Sequence, residues 1–440
     1  MPGRTALALL FLAGAMAGAG AREPVDAKVE WLKKHAVPLR TLNPADEDFA
    51  DLEPLRKVIG DARIVQLGEQ SHGDGATFHA KARLIKFLHQ KMGFDVFAIE
   101  SGLYDCQKAW ELLQAGTEPR QALQHGIFGI WMNSTEFKPM VDYLGKAAKS
   151  DRPLEVWGVD CQLTAEASQK HLARDIQALL DKLDSKDFTA DQRKTVQEAI
   201  ADLIKYKRPE LEEVHKARQA AFQAWQKALH AALPTKEFAK QDIANWRQLA
   251  ASLGVQMEAI WVAGPKRENA RQLGNLRDAQ MARNLVWLAK EKYPQRKIIV
   301  WAATFHLMRN QAGIEMAGRK DFYKQIVTMG HEVRKDLAAE TYTLGFTAAE
   351  GEFGLPGAKP RKLPPVRDGS LEQFCVAAGL DNAVIDFRHL DASGAWLKEK
   401  LLARPLGHGD LTAAWPEHVD GLLFTRKMYP STKLDGESRK

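Results

Sequence analysis

Seven short runs of apolar and β-branched residues constrain the fold of this chain more than any other feature of its sequence. Each run is bounded by polar or glycine-containing turns, and runs of this length and composition are typical of strands buried inside a sheet. The runs cover residues 63–67, 95–99, 154–159, 297–302, 341–346, 383–387 and 421–425. The chain is therefore predicted to form one central β-sheet.

The helices predicted between these runs indicate that the sheet is largely parallel. One stripe of an amphipathic helix between the first two runs carries Phe78, Ala82, Ile85, Leu88 and Met92. A second amphipathic helix, at about residues 276–290, precedes the fourth run. A strand, a helix and a second strand at this spacing form a βαβ unit, whose two strands run parallel. We therefore predict an α/β fold with a largely parallel central sheet flanked by helices.

Two segments depart from this alternating pattern. Residues 164–274 form long stretches rich in Ala, Lys, Glu and Gln without a strand candidate, which predicts a mostly helical insertion or subdomain. Residues 347–369 are rich in Gly and Pro and are predicted to form a surface loop, of the kind that often covers active sites. The α/β domain is assigned to residues 22–163 and 275–430, and residues 431–440 are assigned to a flexible tail.

The N-terminus and the charge distribution bear on compartment and partners. Residues 1–21 have the pattern of a secretory signal peptide, so we expect an exported protein, periplasmic or extracellular, without a stable membrane span after signal cleavage. The formal net charge is +6, but the basic residues are distributed among acidic ones and do not form clusters. This distribution argues against a nucleic-acid partner. Cys106, Cys161 and Cys375 are too few for a disulfide framework, although one pair could form a bridge.

Acidic residues and histidines follow four of the predicted strands directly. Glu69 and His72 follow the first strand, Glu100 closes the second, Asp160 closes the third, and His306 follows the fourth. Alone, each has a bland explanation, since such carboxylates are often helix caps and a single histidine is more often structural. As a set they meet at one edge, because the carboxyl ends of parallel strands lie together. The sequence therefore predicts a functional site at this edge.

The glycine-rich turn at residues 67–75 combines a carboxylate and a histidine. Glu69 precedes His72 by three residues, and in such a turn it can orient the imidazole and increase its basicity. His72 is then able to take a proton from water. The glycines allow a sharp turn and a close approach of a ligand, and backbone amides at the start of the following helix can bind an anion.

Taken together, the motifs resemble those of the erythromycin esterase family, in order along most of the chain. The first is Gly68-Glu69-Gln70-Ser71-His72-Gly73 after a strand. Further matches are Ile99-Glu100, Trp131-Met132-Asn133 with Glu136, Gly158-Val159-Asp160, Arg277-Asp278, Leu344-Gly345-Phe346 with Glu350-Gly351, and Val419-Asp420-Gly421 before Tyr429-Pro430.

The resemblance implies a hydrolase that opens an ester, in the best-known members a macrolide lactone, with the first-motif histidine as general base for water. The implied catalytic residues are His72, Glu69, Glu100 and His306. The implied substrate-binding residues are Arg277, Trp131 and Asp160. The chain lacks the Gly-x-Ser-x-Gly elbow of serine esterases, which agrees with attack by water. No cofactor is predicted, the expected partner is a small-molecule ester or lactone, and a role in antibiotic resistance stays open.

One departure from the family pattern leaves two other functions open. Where the family has Trp-Ala-His-Asn-x-His, this chain has Ala303 and Thr304, so only His306 matches. His79 or His125 are candidates to replace the missing imidazole. The first alternative is a metal-dependent hydrolase that binds a divalent cation through the same Glu and His side chains. The second is a non-catalytic exported binding protein that keeps the fold without the esterase activity.

Overall fold

The chain is described by a computed structural model over residues 25–183, 186–236, 238–319 and 321–434. The predicted signal peptide and residues 435–440 of the predicted tail lie outside the described residues. Ser431 is buried and bonds to Ser134, and Thr432 bonds to Glu136. The start of the predicted tail is therefore packed against the domain. None of the helices in the described ranges is long and apolar enough to cross a membrane.

Within these ranges the chain forms twelve strands. They are β1 Val37–Pro38, β2 Ile64–Leu67, β3 Phe94–Gly102, β4 Glu155–Asp160, β5 Lys297–Trp301, β6 Glu315–Met316, β7 Thr341–Phe353, β8 Arg361–Lys362, β9 Asn382–Asp386, β10 Leu401–Ala403, β11 Leu411–Ala413 and β12 Gly421–Met428. All seven predicted runs are strands, namely β2, β3, β4, β5, β7, β9 and β12.

The large sheet has nine strands in the order β1-β9-β12-β7-β2-β5-β3-β4, with β8 paired to the end of β7. The six strands from β12 to β4 are mutually parallel, whereas β9 and β1 continue the sheet in antiparallel pairing. The prediction of a largely parallel sheet is therefore confirmed. A small antiparallel sheet in the order β10-β11-β6 lies apart from it.

The same described ranges contain fifteen α-helices. They are α1 Val25–His35, α2 Leu55–Ile59, α3 Gly75–Met92, α4 Leu103–Gln114, α5 Pro119–Gln124, α6 Gly129–Met132, α7 Lys138–Ala147, α8 Ala173–Lys182, α9 Ala190–Ile204, α10 Glu212–Ala231, α11 Lys240–Val262, α12 Ala270–Trp287, α13 Thr304–Leu307, α14 Met329–Leu337 and α15 Leu371–Ala377. The predicted amphipathic helices correspond to α3 and α12.

Both faces of the central strands are buried, which explains why the strand sequences are continuously apolar. Along β5, Ile299 and Trp301 belong to the apolar cluster under α3, while Ile298 and Val300 belong to the cluster under α12. Alternate residues of a strand point to opposite faces, so each strand contributes to both clusters. Helices α8 to α11 add their apolar residues to the α12 side, where Trp225 is fully buried.

The prediction of a loop at residues 347–369 was wrong for residues 347–353, which belong to strand β7. Strand β7 continues to Phe353, because β12 pairs with it as far as Gly351 and β8 pairs with its last two residues. Pairing partners far away in the sequence thus extend the strand through a glycine-containing segment. The three cysteines are buried and free, so the structure shows no disulfide among them.

A bulge in β3 shapes the edge of the sheet where the site is predicted. The register of β3 against β4 shifts between Ile99 and Gly102, so that Glu100 and Ser101 face a single residue of β4. A bulge of this kind re-aims side chains at the end of a strand. Gly158 allows it, because a Cβ at this position would lie 2.3 Å from the carbonyl oxygens of Ser101 and Gly102.

We predict that Gly158→Ala lowers the free energy of unfolding by about 1–3 kcal/mol, since the added methyl group meets rigid backbone. The matched control is Gly274→Ala in α12, where no atom of the described chain outside the local helix backbone lies within 4 Å of the added Cβ. That control is expected to raise stability by about 0.5–1 kcal/mol, because alanine is the better helix former. Urea unfolding followed by circular dichroism measures both. A Gly158→Ala variant as stable as the wild type would contradict the close approach of β3 and β4.

Candidate active site

The carboxyl edge of the parallel strands brings the predicted site residues together. Glu69 follows β2, Glu100 lies in the bulge of β3, and Asp160 ends β4. His306 lies in α13, directly after β5, and Arg277 reaches the same edge from α12. Two hydrogen-bonded groups result, one around Glu69 and one around Glu100.

The turn between β2 and α3 depends on glycine at two positions. A Cβ on Gly68 would lie 2.3 Å from Oγ1 of Thr304, and one on Gly73 would lie 2.5 Å from the carbonyl carbon of Gly354. The amide of Gly354 also donates to the carbonyl of Gly73 over 3.0 Å. The close approach that these glycines permit is thus to other parts of the protein, and it fixes the turn in place.

Glu69 is the centre of the first group. Its Oε1 lies 2.7 Å from Nδ1 of His72 and accepts a hydrogen bond from Nε1 of Trp131 over 3.1 Å. Its Oε2 accepts from Nζ of Lys81 over 2.7 Å. Both Glu69 and Lys81 are fully buried, and the ammonium lies 3.9 Å from the ring centroid of Trp301. Lys81, Trp131 and His72 therefore leave the carboxylate no freedom to reorient.

The charges of this group follow from burial and pairing. Burial alone opposes ionisation of Glu69, but Lys81 and the hydrogen bond from His72 outweigh it and hold the pKa of Glu69 below its ordinary value. Burial lowers the pKa of Lys81 to about 8, against the opposing effect of Glu69. Glu69 is consequently an anion at neutral pH, and His72 Nδ1 donates to it.

The second group surrounds Arg277. Its Nε lies 3.1 and 3.0 Å from the two carboxylate oxygens of Asp160, and its Nη2 donates to both Asp160 and Glu100 over 2.5 and 2.9 Å. His306 contacts Glu100 through Nε2 at 3.1 Å and Asp278 through Nδ1 at 2.8 Å. A histidine placed between two carboxylates uses both ring nitrogens as donors, so His306 is an imidazolium.

The same pairing decides the protonation of these groups. Although burial disfavours the cation, Asp278 and Glu100 raise the pKa of His306 to about 10. Burial likewise opposes the charged form of Glu100, yet His306, His72 and Arg277 hold its pKa well below the ordinary value. At neutral pH His306 is therefore charged and cannot accept a proton.

His72 stands between the two groups and is the titratable member. Burial lowers its pKa, but the hydrogen bond to Glu69 and the nearby carboxylate of Glu100 raise it above 6.5 overall, while His306 opposes that rise. Its side chain is 33% exposed, and its ring lies edge-on to Trp131 at 5.4 Å. Among the described residues, Nε2 of His72 has no hydrogen-bond partner. His72 thus presents a free nitrogen to solvent.

The family departure at residues 303 and 304 falls between the two groups. The amide of Ala303 donates to Oε2 of Glu100 over 2.8 Å, and the amide of Thr304 donates to the carbonyl of Glu69 over 2.8 Å. These contacts come from the backbone and do not depend on the side chain. The replacement therefore removes an imidazole and keeps the links between α13, Glu100 and Glu69.

Neither proposed substitute for that imidazole belongs to the two groups. Nδ1 of His79 lies 2.7 Å from the hydroxyl of Tyr429. His125 lies 3.6 Å from Glu166 and stacks on His171. Both histidines thus have their partners elsewhere on the protein.

Sequence reasoning missed Lys81 and gave Asp278 no role. Lys81 was detectable, because it falls on the apolar stripe of α3 one turn before Ile85, where a lysine is unexpected. Asp278 was matched only as part of a motif. In the structure its Oδ1 also accepts from the amide of Met329 over 3.0 Å, which fixes the carboxylate under His306.

The donor set does not fit the metal-dependent alternative. The carboxylate oxygens of Glu69 are bonded to His72, Trp131 and Lys81. Those of Glu100 are bonded to Arg277, His306 and the amide of Ala303. In the part of the chain that the structure describes, no three His, Cys, Asp or Glu side chains are grouped so that they could hold a metal ion. Cations of the protein itself occupy the positions that a metal would need.

Comparisons with known proteins find relatives of this chain and solved structures that share its fold. YbfO of Bacillus subtilis (strain 168), a protein named provisionally as a hydrolase, is 25% identical over 460 residues that cover 97% of each chain. Erythromycin esterase type II of Escherichia coli is 23% identical over 399 residues, which cover 82% of this chain and 89% of that protein. A solved structure of a histidine mutant of erythromycin esterase EreC in its open conformation shares the fold, with a TM-score of 0.66 and 17% identity over 91% of this chain and 99% of that one.

The family description Erythromycin esterase matches residues 89–428, which is most of the chain. That range includes Glu100, Asp160, Arg277, Asp278 and His306, which form the second group. On this match, the chain belongs to the erythromycin esterase family.

Proposed function

We propose that this protein hydrolyses a carboxylic ester or lactone by direct attack of water, with His72 as the general base. The observation that carries the proposal is the state of the His72 ring. An ionised, fully buried Glu69 holds Nδ1 at 2.7 Å, while Nε2 has no partner among the described residues and the side chain is one-third exposed. A histidine whose Nδ1–H is bound in this way has its lone pair on Nε2.

The reaction follows from these positions. Nε2 of His72 takes a proton from a water molecule, whose oxygen attacks the carbonyl carbon of the substrate and gives a tetrahedral oxyanion. The Glu69 carboxylate stabilises the imidazolium that forms. Collapse of the intermediate breaks the bond to the alcohol oxygen, and His72 returns its proton to that oxygen. The products are a carboxylic acid and an alcohol, and His72 ends in its starting form.

Arg277 is assigned to the oxyanion. Its Nε and Nη2 are bound to Asp160 and Glu100, which leaves Nη1 beside the charged ring of His306 at 3.3 Å. Two donors cannot satisfy each other, so Nη1 is available to a negatively charged oxygen. A fixed cation at this position stabilises charge that develops only in the transition state.

The substrate class is drawn from relatives. Erythromycin esterase type II is named for a macrolide lactone, so a macrolide is the first substrate to test on this chain. Ala303 stands where the resemblance to the family predicts a histidine, and the proposed hydrolysis by His72 uses no imidazole at that position. We also keep the proposal that the protein is exported and meets its substrate outside the cytoplasm.

We predict that His72→Ala lowers kcat/KM for ester hydrolysis by about 10²–10⁴-fold, the contribution of a positioned general base. The matched control is His79→Ala, which removes a histidine of α3 that is bonded to Tyr429 and should leave the rate near that of the wild type. Hydrolysis of aryl esters and macrolides by the mature protein measures both. Equal loss in the two variants would contradict the specific role of His72. Tight substrate binding without turnover, in the wild type as in the variants, would favour the non-catalytic binding protein.

The pH dependence of kcat/KM gives a second prediction. His72 is inactive when protonated, and its pKa is raised, so activity should rise with pH through a midpoint above 6.5. Glu69→Gln removes the charge that raises this pKa, and the midpoint should move to lower pH as the rate falls. The control is Glu372→Gln, a fully buried carboxyl group in α15 that is hydrogen-bonded to Thr347, outside both groups of the site. An unchanged midpoint in Glu69→Gln would show that the pH dependence of kcat/KM does not report the protonation of His72.

A further inference from the structure

The turn that carries His72 is also fastened by a loop from the far end of the chain. The amide of Gly407 donates to the carbonyl of Gln70 over 2.8 Å. One residue later, Nε2 of His408 lies 2.9 Å from Oδ1 of Asp74, although the two residues are 334 positions apart in the sequence. Both Asp74 and His408 are buried, with exposed fractions of 0% and 2%.

Through Asp74, the contact with His408 restricts the backbone position of His72. Its second oxygen, Oδ2, accepts a hydrogen bond from the amide of Ser71 over 2.8 Å. Its carboxylate therefore closes a loop that contains Ser71, His72 and Gly73. The position of the carboxylate decides where the backbone of His72 lies, and His408 holds the oxygen that the turn itself leaves free.

Oδ1 of Asp74 requires a hydrogen-bond donor because the carboxylate is buried. A buried carboxylate that lacks a hydrogen-bond donor is costly, and burial raises the pKa of Asp74 despite the hydrogen bond from His408. Without His408, Asp74 would either take up a proton or turn toward another donor. Each change loosens the bond to Ser71, which is the bond that closes the turn.

His408 is held in an unfavourable conformation in order to make this contact. Its φ angle of +59° lies in the left-handed region, which residues other than glycine rarely adopt. Its ring packs on Phe353 with centroids 4.4 Å apart, and Nδ1 is buried without a hydrogen-bond partner among the described residues. Such strain persists only where the surroundings fix it, and it is concentrated at functional sites.

We propose that His408 is a positioning residue for His72, acting through Asp74 to keep Nδ1 of His72 on Glu69. The inference rests on the proposed general-base function of His72. His408 itself contacts Asp74 and Phe353, and it acts on the proposed base only through Asp74 and the turn.

The test reads the His72 ring directly by ¹⁵N NMR of histidine-labelled protein, with the His72→Ala variant used to assign its signal. The groups that act on His72 are Glu69, Glu100 and His306, and none of them is altered in the variants. In His408→Ala the Glu69 bond should loosen, so the titration midpoint of His72 should fall toward 6.5. His408→Gln, whose side-chain amide offers a donor near the position of Nε2, should restore it.

Asp74→Ala supplies a second route to the same result, which keeps the test decisive if His408→Ala folds poorly. If His408 acts through Asp74, the double variant should shift His72 no further than either single variant. The control is His418→Ala, another buried histidine, whose Nδ1 lies 3.0 Å from the carbonyl oxygen of Arg309. It should lose stability and leave the His72 midpoint where it is.

Kinetics separate this inference from the proposed function. With an active esterase, His408→Ala should lower kcat by about 10–100-fold with little change in KM, the effect expected of a misplaced catalytic group. If the wild type hydrolyses no ester, the proposed function fails, while the NMR titration still decides whether His408 positions His72. A His72 midpoint that is equal in wild type, His408→Ala and Asp74→Ala overturns the inference.

Discussion

Four carboxylates buried at one edge of a parallel sheet govern the arrangement of the rest of the site. The four are Glu69, Glu100, Asp160 and Asp278, and none is more than 3% exposed. Since a buried carboxylate must be paired, the fold brings three cations to these four groups, each cation from a different element. The cations are Lys81 from α3, Arg277 from α12 and His306 from α13. The same ion pairs therefore hold three helices over the sheet edge and set the charge of the site.

These acids outnumber Lys81, Arg277 and His306 by one, and His72 is the group that can supply the missing positive charge. Its protonated form balances the charge of the site. Burial opposes that form, but the hydrogen bond to Glu69 and the nearby carboxylate of Glu100 outweigh burial and raise the pKa of His72. A base in this position gains strength, because the imidazolium formed during proton transfer already has Glu69 as its partner. The same interaction keeps a larger fraction of His72 protonated at low pH, where it cannot act as a base. A higher pKa thus makes His72 a stronger base but leaves less of it in the unprotonated form.

Local pattern was enough to locate the strands and the edge that carries the site. Each strand is apolar because both faces of the sheet are covered, and polar residues begin where the strands end. Contacts distant in sequence were beyond such reasoning. The bond between His408 and Asp74 spans 334 residues and has no local signature. The extension of β7 to Phe353 likewise depends on pairing with β12 and β8. Lys81 was recoverable, since its place on the apolar stripe of α3 already implied a buried partner.

Ala303, which stands where the resemblance to the family leads us to expect a histidine, leaves the rest of the site assembled. The backbone at residues 303 and 304 still binds Glu100 and Glu69, so the two groups keep their relative position. What is lost is one imidazole, and the other histidine of that segment cannot replace it. His306 is held between Asp278 and Glu100 with a pKa of about 10, and it is already protonated at neutral pH. Because His306 cannot accept a proton, the proposed mechanism assigns both steps to His72, namely proton uptake from water and proton return to the alcohol oxygen.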